Sequence, residues 1–280
     1  MLRKIPEVRM STASRSRSAL VAVLFVLSAT ACGSSSKPST SSTTSTVPGS
    51  ARPALSGPLN VFAASSLTEA FKTEQTNLST SNSGLSLTFN FAGSQALVTQ
   101  IQQGADVDVF ASADTKNMKK LEDAGLVDPP RTFARNRLEI AVAPGNPKHI
   151  TSLADLERSG VTLVLADVSV PAGKYARQAF TNAGLPAPEP VSNELDVKSA
   201  LSKLTLGEAD AVVVYVTDVK AAGNKVEGVT IPDAQNVVAV YPIAVLKAAK
   251  HAAAAAAFVD EIATGGGQQV LKDKGFLPPS

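Results

Sequence analysis

The chain has 280 residues, of which 44% are hydrophobic and 18% charged, and its single cysteine excludes an intrachain disulfide. The formal net charge is +2, but the first 31 residues hold five Lys/Arg and one Glu, which leaves 21 basic and 23 acidic residues in the remainder. Since that remainder has no basic patch interleaved with aromatic residues, we do not expect nucleic acid as a partner.

Residues 1–31 are predicted to be an export signal. Its basic start is followed by an uncharged run, Ala19 to Ala31, that is too short to span a bilayer comfortably. The run ends at Cys32, and the small residues before it resemble a bacterial lipobox, although Ala29 stands where Leu is usual. In lipobox proteins the cysteine is lipidated and becomes the mature N-terminus; ordinary cleavage near Ala31 is the alternative. We expect an exported protein that is lipid-anchored at Cys32 on the extracytoplasmic face of the cell membrane.

Residues 32–57 are predicted to be a flexible tether. They are mostly Ser, Thr, Pro and Gly, a composition that cannot bury a core. A tether behind a lipidated cysteine lets a folded body move above the membrane. No later segment of the sequence is long and apolar enough to suggest a membrane span.

The body opens on an apolar strand, residues 59–64, that turns at two serines into a helix. Ser66 and Glu69 fit the S-x-x-E capping box, which places Ser66 at the N-cap. A helix that begins there points free backbone N–H groups and a hydroxyl beyond the strand end, an arrangement suited to an anion. Capping boxes are common and most only begin a helix, so the motif matters if the chain repeats it.

Strand-like and helix-like segments alternate through the rest of the body. This alternation predicts an α/β fold with mostly parallel sheets flanked by helices. Helical patterns lie between the strands, and the Ala-rich run His251 to Ile262 is predicted as a helix that Gly265-Gly266-Gly267 ends. The predicted strands are Asn60–Ala63, Leu85–Phe91, Val107–Ala111, Leu138–Val142, Thr162–Leu165, Ala211–Tyr215 and Val237–Val245.

Two sheets are expected rather than one, because proline and glycine break the chain at 129–130 and again at 144–147. We predict a first lobe from residues 58–140 plus 235–280 and a second lobe from 141–234. A chain that leaves one lobe, builds another and returns has the layout of a two-lobed binding protein. Its ligand lies in the cleft between the lobes, at the carboxyl ends of strands.

The opening pattern recurs along the chain. Ser94 follows a second strand at a small-residue turn, and Pro171 begins a helix whose backbone N–H groups around Ala172 are candidate donors. Another helix opens after Asp196 and offers the Val197 N–H. The strand that ends at Tyr215 adds a phenolic hydroxyl. These residues provide hydrogen-bond donors from both predicted lobes.

Six motifs resemble the periplasmic molybdate-binding proteins of ABC transporters, which are type II solute-binding proteins. In chain order they are FAASSLTEAF, FNFAGSQAL, DVFASAD, VPAGKYA, DVKSAL and VVVYVTD, and the resemblance covers nearly all of residues 58–280. It implies binding of molybdate, and of tungstate, outside the cytoplasm and delivery to an ABC permease that works with a separate ATPase subunit. The ligand residues it implies are Ser66, Ser94, Ala172, Val197 and Tyr215.

The residue chemistry agrees with a proton-free oxyanion. Such an ion accepts hydrogen bonds and donates none, and the five positions offer hydroxyls and backbone N–H groups with no carboxylate. Phosphate keeps a proton near neutrality and suits a site with an acceptor, so it is disfavoured. The alternative is another tetrahedral oxyanion such as sulfate. We expect molybdenum to be held as its oxyanion, without direct protein–metal bonds and without a cofactor, by a monomer.

An enzyme is the main rival class, and the sequence disfavours it. There is no G-x-S-x-G, no Cys/His metal motif and no Walker-type phosphate loop in the sequence. Neither His149 nor His251 falls in a motif that would set a base beside Ser66 or Ser94, and both are interpreted as surface residues. Lys174 and Lys198 are likewise interpreted as solvated; Ser65, Ser112 and Asp114 are interpreted as turn or helix-start residues.

Overall fold

The computed structural model describes residues 55–280. The predicted signal 1–31, Cys32 and nearly all of the predicted tether 32–57 lie outside this range. Within residues 55–280, no helix is long and apolar enough to cross a membrane.

The described chain contains nine strands, and all seven predicted strands are among them. The strands that the sequence did not predict are β6, β8 and the first half of β4, which are short or rich in polar residues. The nine are β1 (Gly57–Ala64), β2 (Leu85–Ala92), β3 (Val109–Ala111), β4 (Arg131–Val142), β5 (Leu163–Ala166), β6 (Ser192–Glu194), β7 (Ala211–Tyr215), β8 (Glu227–Thr230) and β9 (Val238–Val245).

Eight α-helices flank these strands in the described region. The predicted Ala-rich helix is confirmed, and its end at Gly265 is as predicted. Gly125 and Gly184 follow helices with φ of 67° and 70°, the left-handed conformation that favours glycine at this position. The helices are α1 (Thr68–Ser81), α2 (Ser94–Gln102), α3 (Thr115–Asp123), α4 (Pro171–Asn182), α5 (Val197–Thr205), α6 (Val216–Ala222), α7 (Ala252–Thr264) and α8 (Gly267–Asp273).

The strands pair in the order β2-β1-β3-β9-β4-β7-β5-β6, and β8 pairs with β4. Parallel pairing, as predicted, joins β2, β1 and β3 in one half and β6, β5 and β7 in the other. Antiparallel pairing enters through the long strand β4 and through β9. The nine strands therefore form one continuous sheet where two sheets were expected, because β4 and β9 join the two parallel groups through antiparallel pairing.

Strand β4 connects the two halves of the fold. Its first part, Arg131 to Arg137, pairs with β9, whereas Leu138 to Val142 pairs with β7. The chain returns to the first half between β8 and β9. This exchange of partners lies close to the predicted lobe boundary at residue 140, and the boundaries themselves stay a prediction.

Parallel pairing brings the site-bearing turns together. Ala64 and Ala92 are register partners at the carboxyl ends of β1 and β2, so the turns after these strands leave the sheet side by side. Beneath them, buried Phe71 packs at 6.0 Å from Phe258 and 6.1 Å from Phe133, ring centroid to ring centroid. The aromatic packing fixes α1 and α7 against the sheet and holds the first of these turns in place.

Candidate functional site

A small cavity, partly open to solvent, lies where the carboxyl ends of the strands meet. All five predicted ligand residues line it: Ser66 and Ser94 from the first half, and Ala172, Val197 and Tyr215 from the second. The other lining residues are small or apolar, namely Ala64, Ser65, Ala92, Gly93, Ala113, Val170 and Pro171. Within residues 55–280, no charged side chain lines the cavity, so hydroxyls and backbone groups form its polar surface.

The capping-box prediction for Ser66 is wrong. Ser65–Leu67 form a 3-10 turn after β1, so α1 begins at Thr68 and its N-cap is Leu67. The Ser66 hydroxyl, which is buried, lies 3.0 Å from the hydroxyl of Tyr241 and makes no side-chain cap. Because the tight turn shifts the helix start by one residue, the serine faces a side chain 175 residues away instead of its own helix.

Ser94 is the first residue of α2 and is 1% exposed. Its hydroxyl oxygen accepts a hydrogen bond of 3.1 Å from the backbone N–H of Ala113. An N–H can only donate, so the hydroxyl proton of Ser94 is left for another acceptor. Ser112 follows β3, two strands from β2 in the sheet, and is not among the described residues that line the cavity. Its hydroxyl accepts from the Asp114 N–H, and the Asp114 side chain caps α3, as the sequence indicated.

The N-termini of α4 and α5 provide the backbone donors. The first N–H groups of a helix have no partner within the helix. Pro171 at the start of α4 has no N–H, so the first donor there is Ala172. On α5 the Asp196 carboxylate accepts from the N–H groups of Lys198 and Ser199, at 2.8 and 3.1 Å, and leaves the Val197 N–H without a capping partner.

Gly173 lets α4 approach the end of β5 closely. A Cβ at this position would lie 2.1 Å from the carbonyl oxygen of Ala166 and 2.2 Å from that of Asp167. Both are backbone atoms and cannot move aside like a flexible side chain. The absence of a Cβ at Gly173 therefore sets where the Ala172 N–H lies.

Tyr215, at the end of β7, is 1% exposed. Its hydroxyl is buried and has no hydrogen-bond partner of ordinary geometry among the described residues, although the hydroxyl of Tyr241 is a polar neighbour. Burial raises the pKa of this phenol well above 10, so the group stays a neutral donor at physiological pH. A buried donor without a partner is rare in proteins, and this one lies at the cavity wall.

The expectation that Lys198 is solvated is wrong. Its Nζ lies 3.3 Å from Oδ1 of Asp218, a carboxylate that is fully buried behind the cavity. The other oxygen of Asp218 accepts from the backbone N–H of Tyr215 at 3.2 Å. Burial raises the pKa of Asp218, and Lys198 opposes that rise. The sequence analysis missed Asp218. Its position three residues after Tyr215, in the first turn of α6, could have indicated a residue near the site.

The two halves touch beside the cavity. The side chain of Gln95 on α2 donates a 3.0 Å hydrogen bond to the carbonyl of Leu195, in the loop before α5. A Cβ on Gly93 would come within 2.6 Å of the same carbonyl. The structure therefore shows the arrangement in which donors of both halves surround one space.

The histidines lie apart from this cavity. His149 is exposed in a loop, as expected, whereas His251 is half-buried with Nδ1 3.5 Å from Oδ2 of Asp108. Neither lines the cavity. Among residues 55–280, no three His, Cys, Asp or Glu residues are placed to hold a metal ion.

Comparison with known proteins gives consistent results. A model of the family described as bacterial extracellular solute-binding protein matches residues 59–277, a range that includes every cavity residue. The molybdate-binding protein ModA of Mycobacterium tuberculosis strain H37Rv is 41% identical over 261 residues, 93% of this chain and 97% of that protein. ModA of Escherichia coli K12 is 31% identical over 237 residues, 79% of this chain and 89% of that protein.

The fold is also similar to that of a solved structure. The Azotobacter vinelandii periplasmic molybdate-binding protein superposes with a TM-score of 0.70 at 21% identity, covering 79% of this chain and 100% of that one. Together with the family match, this confirms the expected two-lobed α/β fold of periplasmic binding proteins.

Replacing Lys198 by Met is expected to lower the free energy of unfolding by about 3 kcal/mol at neutral pH, because Asp218 then stays buried without its cation. Burial already raises the folded-state pKa of Asp218 above its unfolded value, and the substitution raises it further. Protonation of such a group favours the folded state, so the loss relative to wild type should shrink as the pH falls toward about 4. Denaturant unfolding at several pH values measures this.

Lys203→Met is the matched control, since Lys203 lies on the same helix and pairs with the exposed Glu208. Lys203→Met should lower the free energy of unfolding by no more than about 1 kcal/mol. The role given to the Lys198–Asp218 pair would be contradicted if both substitutions lowered the free energy of unfolding equally. It would also be contradicted if the loss in Lys198→Met were the same at both ends of the pH range.

Proposed function

The chain belongs to the family of bacterial extracellular solute-binding proteins, and from this we propose that it binds molybdate outside the cytoplasm and delivers it to an ABC permease for import. Tungstate, of nearly the same size and the same charge, is expected to bind as well. The relatives named molybdate-binding protein support this choice of ligand. Molybdate is the cargo of such a protein, so no resident cofactor is involved.

The observation that carries the proposal is the uncharged, donor-lined cavity. Molybdate at neutral pH has no proton, so each of its oxygens accepts hydrogen bonds and none donates. The five proposed ligands are the hydroxyls of Ser66, Ser94 and Tyr215 and the backbone N–H groups of Ala172 and Val197. Among the described residues, no carboxylate lines the space to accept a hydrogen bond from hydrogen phosphate or to repel a dianion.

Helix N-termini offset the charge of the buried ion. Helices α4 and α5 begin at the cavity, and each carries a partial positive charge at its first turn. These dipoles are fixed by the fold and need little reorganisation when the ion enters. Neutral donors also make release feasible, because no fixed positive side chain holds the ion when the halves separate.

The geometry supports binding without catalysis. A serine nucleophile needs an adjacent base, and in the part of the chain that the structure describes no imidazole or carboxylate lines the cavity beside Ser66 or Ser94. Hydrolysis of ATP for import belongs to a separate subunit in this proposal, and the binding protein acts as a monomer.

The donors come from both proposed lobes. Ser66 and Ser94 belong to residues 58–140, which with 235–280 form lobe 1, and the other three ligands belong to lobe 2, residues 141–234. An ion held by both lobes favours the closed arrangement in which Gln95 meets Leu195. A closed, loaded form that differs from the open form gives a permease a way to recognise cargo.

Titration of the purified protein with molybdate, tungstate, sulfate and phosphate tests the ligand. We expect saturable binding of molybdate and tungstate with similar affinity and weaker or no binding of phosphate. The chain has three tyrosines and no tryptophan, and Tyr215 lines the cavity, so tyrosine fluorescence is a suitable readout beside calorimetry. Tight binding of sulfate with weak binding of molybdate would replace the proposal by the sulfate alternative.

Ser94→Ala is expected to weaken molybdate binding by about 1–3 kcal/mol, because it removes one buried donor while the fold stays nearly intact. Ser112→Ala is the matched control: Ser112 is equally buried and also follows a strand, but it does not line the cavity. Calorimetric titration of both variants separates the roles. Unchanged affinity in Ser94→Ala, or equal losses in both variants, would remove Ser94 from the proposed ligand set.

Lipid anchoring at Cys32 is part of the proposal and rests on the sequence of the signal and tether. The full chain, expressed in a bacterium with lipoprotein-processing enzymes, should partition into the detergent phase after membrane extraction. Cys32→Ser should remain unlipidated and lose that partitioning, while the molybdate affinity of the body stays unchanged. Detergent partitioning that survives Cys32→Ser would refute the anchor.

A further inference from the structure

Tyr241 lies behind the cavity wall and contacts Ser66. It belongs to β9, is fully buried, and its hydroxyl oxygen is 3.0 Å from that of Ser66. Tyr241 does not line the cavity. In a pair of hydroxyls either oxygen can be the donor, and the direction decides what Ser66 can offer to a ligand.

The two directions have opposite consequences for binding. If Ser66 donates to Tyr241, its single proton is used and none remains for an oxyanion. If Tyr241 donates, Ser66 accepts from behind and can turn its own proton toward the cavity. Ser94 is held in this second state by the N–H of Ala113, which can only donate. An ion that accepts hydrogen bonds and donates none selects the same state for Ser66.

We propose that Tyr241 is a positioning residue for the oxyanion site: it donates to Ser66 and thereby directs the Ser66 proton to the ligand. This inference rests on the proposed oxyanion binding. Burial raises the pKa of Tyr241, so the phenol keeps the proton it must donate. Hydrogen bonds in such a chain also strengthen one another in a low-dielectric interior.

The ring of Tyr241 is fixed in place by its neighbours. It packs edge-on against Phe133, Phe276 and Tyr215, with ring centroids 6.2, 5.4 and 5.9 Å away. Tyr241 is also the register partner of Ala134 on β4, the strand that joins the two halves. A hydroxyl on a ring held in this way has a defined position, so Ser66 is oriented by the core rather than by its own turn.

A double-mutant cycle tests the inference. Molybdate affinity is measured by calorimetry for wild type, Tyr241→Phe, Ser66→Ala and the double variant. Phenylalanine keeps the ring packing, so we expect Tyr241→Phe to fold and to bind about three- to tenfold more weakly. In the Ser66→Ala background, Tyr241→Phe should not weaken molybdate binding further, because the Ser66 hydroxyl that Tyr241 orients is absent. Tyr175→Phe, the same change outside the cavity lining, should keep wild-type affinity.

The outcomes are distinct. Wild-type affinity in Tyr241→Phe overturns the inference and leaves the proposed function standing. An equal loss in the presence and absence of the Ser66 hydroxyl also overturns it, since general loosening of the core would act in both backgrounds. Absence of molybdate binding by wild-type protein overturns the proposed function itself.

Discussion

A buried ion that has lost all its protons can only accept hydrogen bonds, so every polar group around it must donate. This constraint explains why the cavity wall consists of hydroxyls and backbone N–H groups among small apolar residues. It also explains the partners behind the wall. The Ser94 oxygen accepts from Ala113, and the Asp196 carboxylate accepts from the N–H groups of Lys198 and Ser199, which follow Val197. The Tyr215 hydroxyl has no partner of ordinary geometry among residues 55–280.

Charged groups near the site are arranged so that they stay out of the wall. Asp218 is buried behind Tyr215, where its charge would repel an anion, and Lys198 lies 3.3 Å from it. The pair links the first turns of α5 and α6 and leaves little net charge beside the cavity. The positive potential that an anion needs then comes from helix N-termini. The fold fixes the direction of these helices and the positions of their N–H donors.

Much of the fold and the set of cavity residues could be predicted from the sequence, because short motifs carry them. A strand followed by small residues and a helix start is recognisable locally, and six such motifs in order place Ser66, Ser94, Ala172, Val197 and Tyr215.

The first half of β4 was missed because Arg131, Arg135 and Arg137 interrupt its apolar pattern; its pairing with β9 is a long-range contact. The capping box at Ser66 failed for a related reason, since its hydroxyl pairs with distant Tyr241. Likewise, nothing in the local pattern of α5 indicates that Lys198 meets a buried carboxylate on α6.

The central claim is that five donors from two halves of the chain hold one proton-free oxyanion. A crystal structure of the molybdate complex, with data collected at the molybdenum absorption edge, tests it most directly because anomalous scattering locates the metal independently of the protein phases. The account predicts one strong peak in the cavity, with the oxyanion within hydrogen-bond distance of the Ser66, Ser94 and Tyr215 hydroxyls and of the Ala172 and Val197 N–H groups. A peak elsewhere, or an oxyanion held by lysine or arginine side chains instead of these donors, would contradict it.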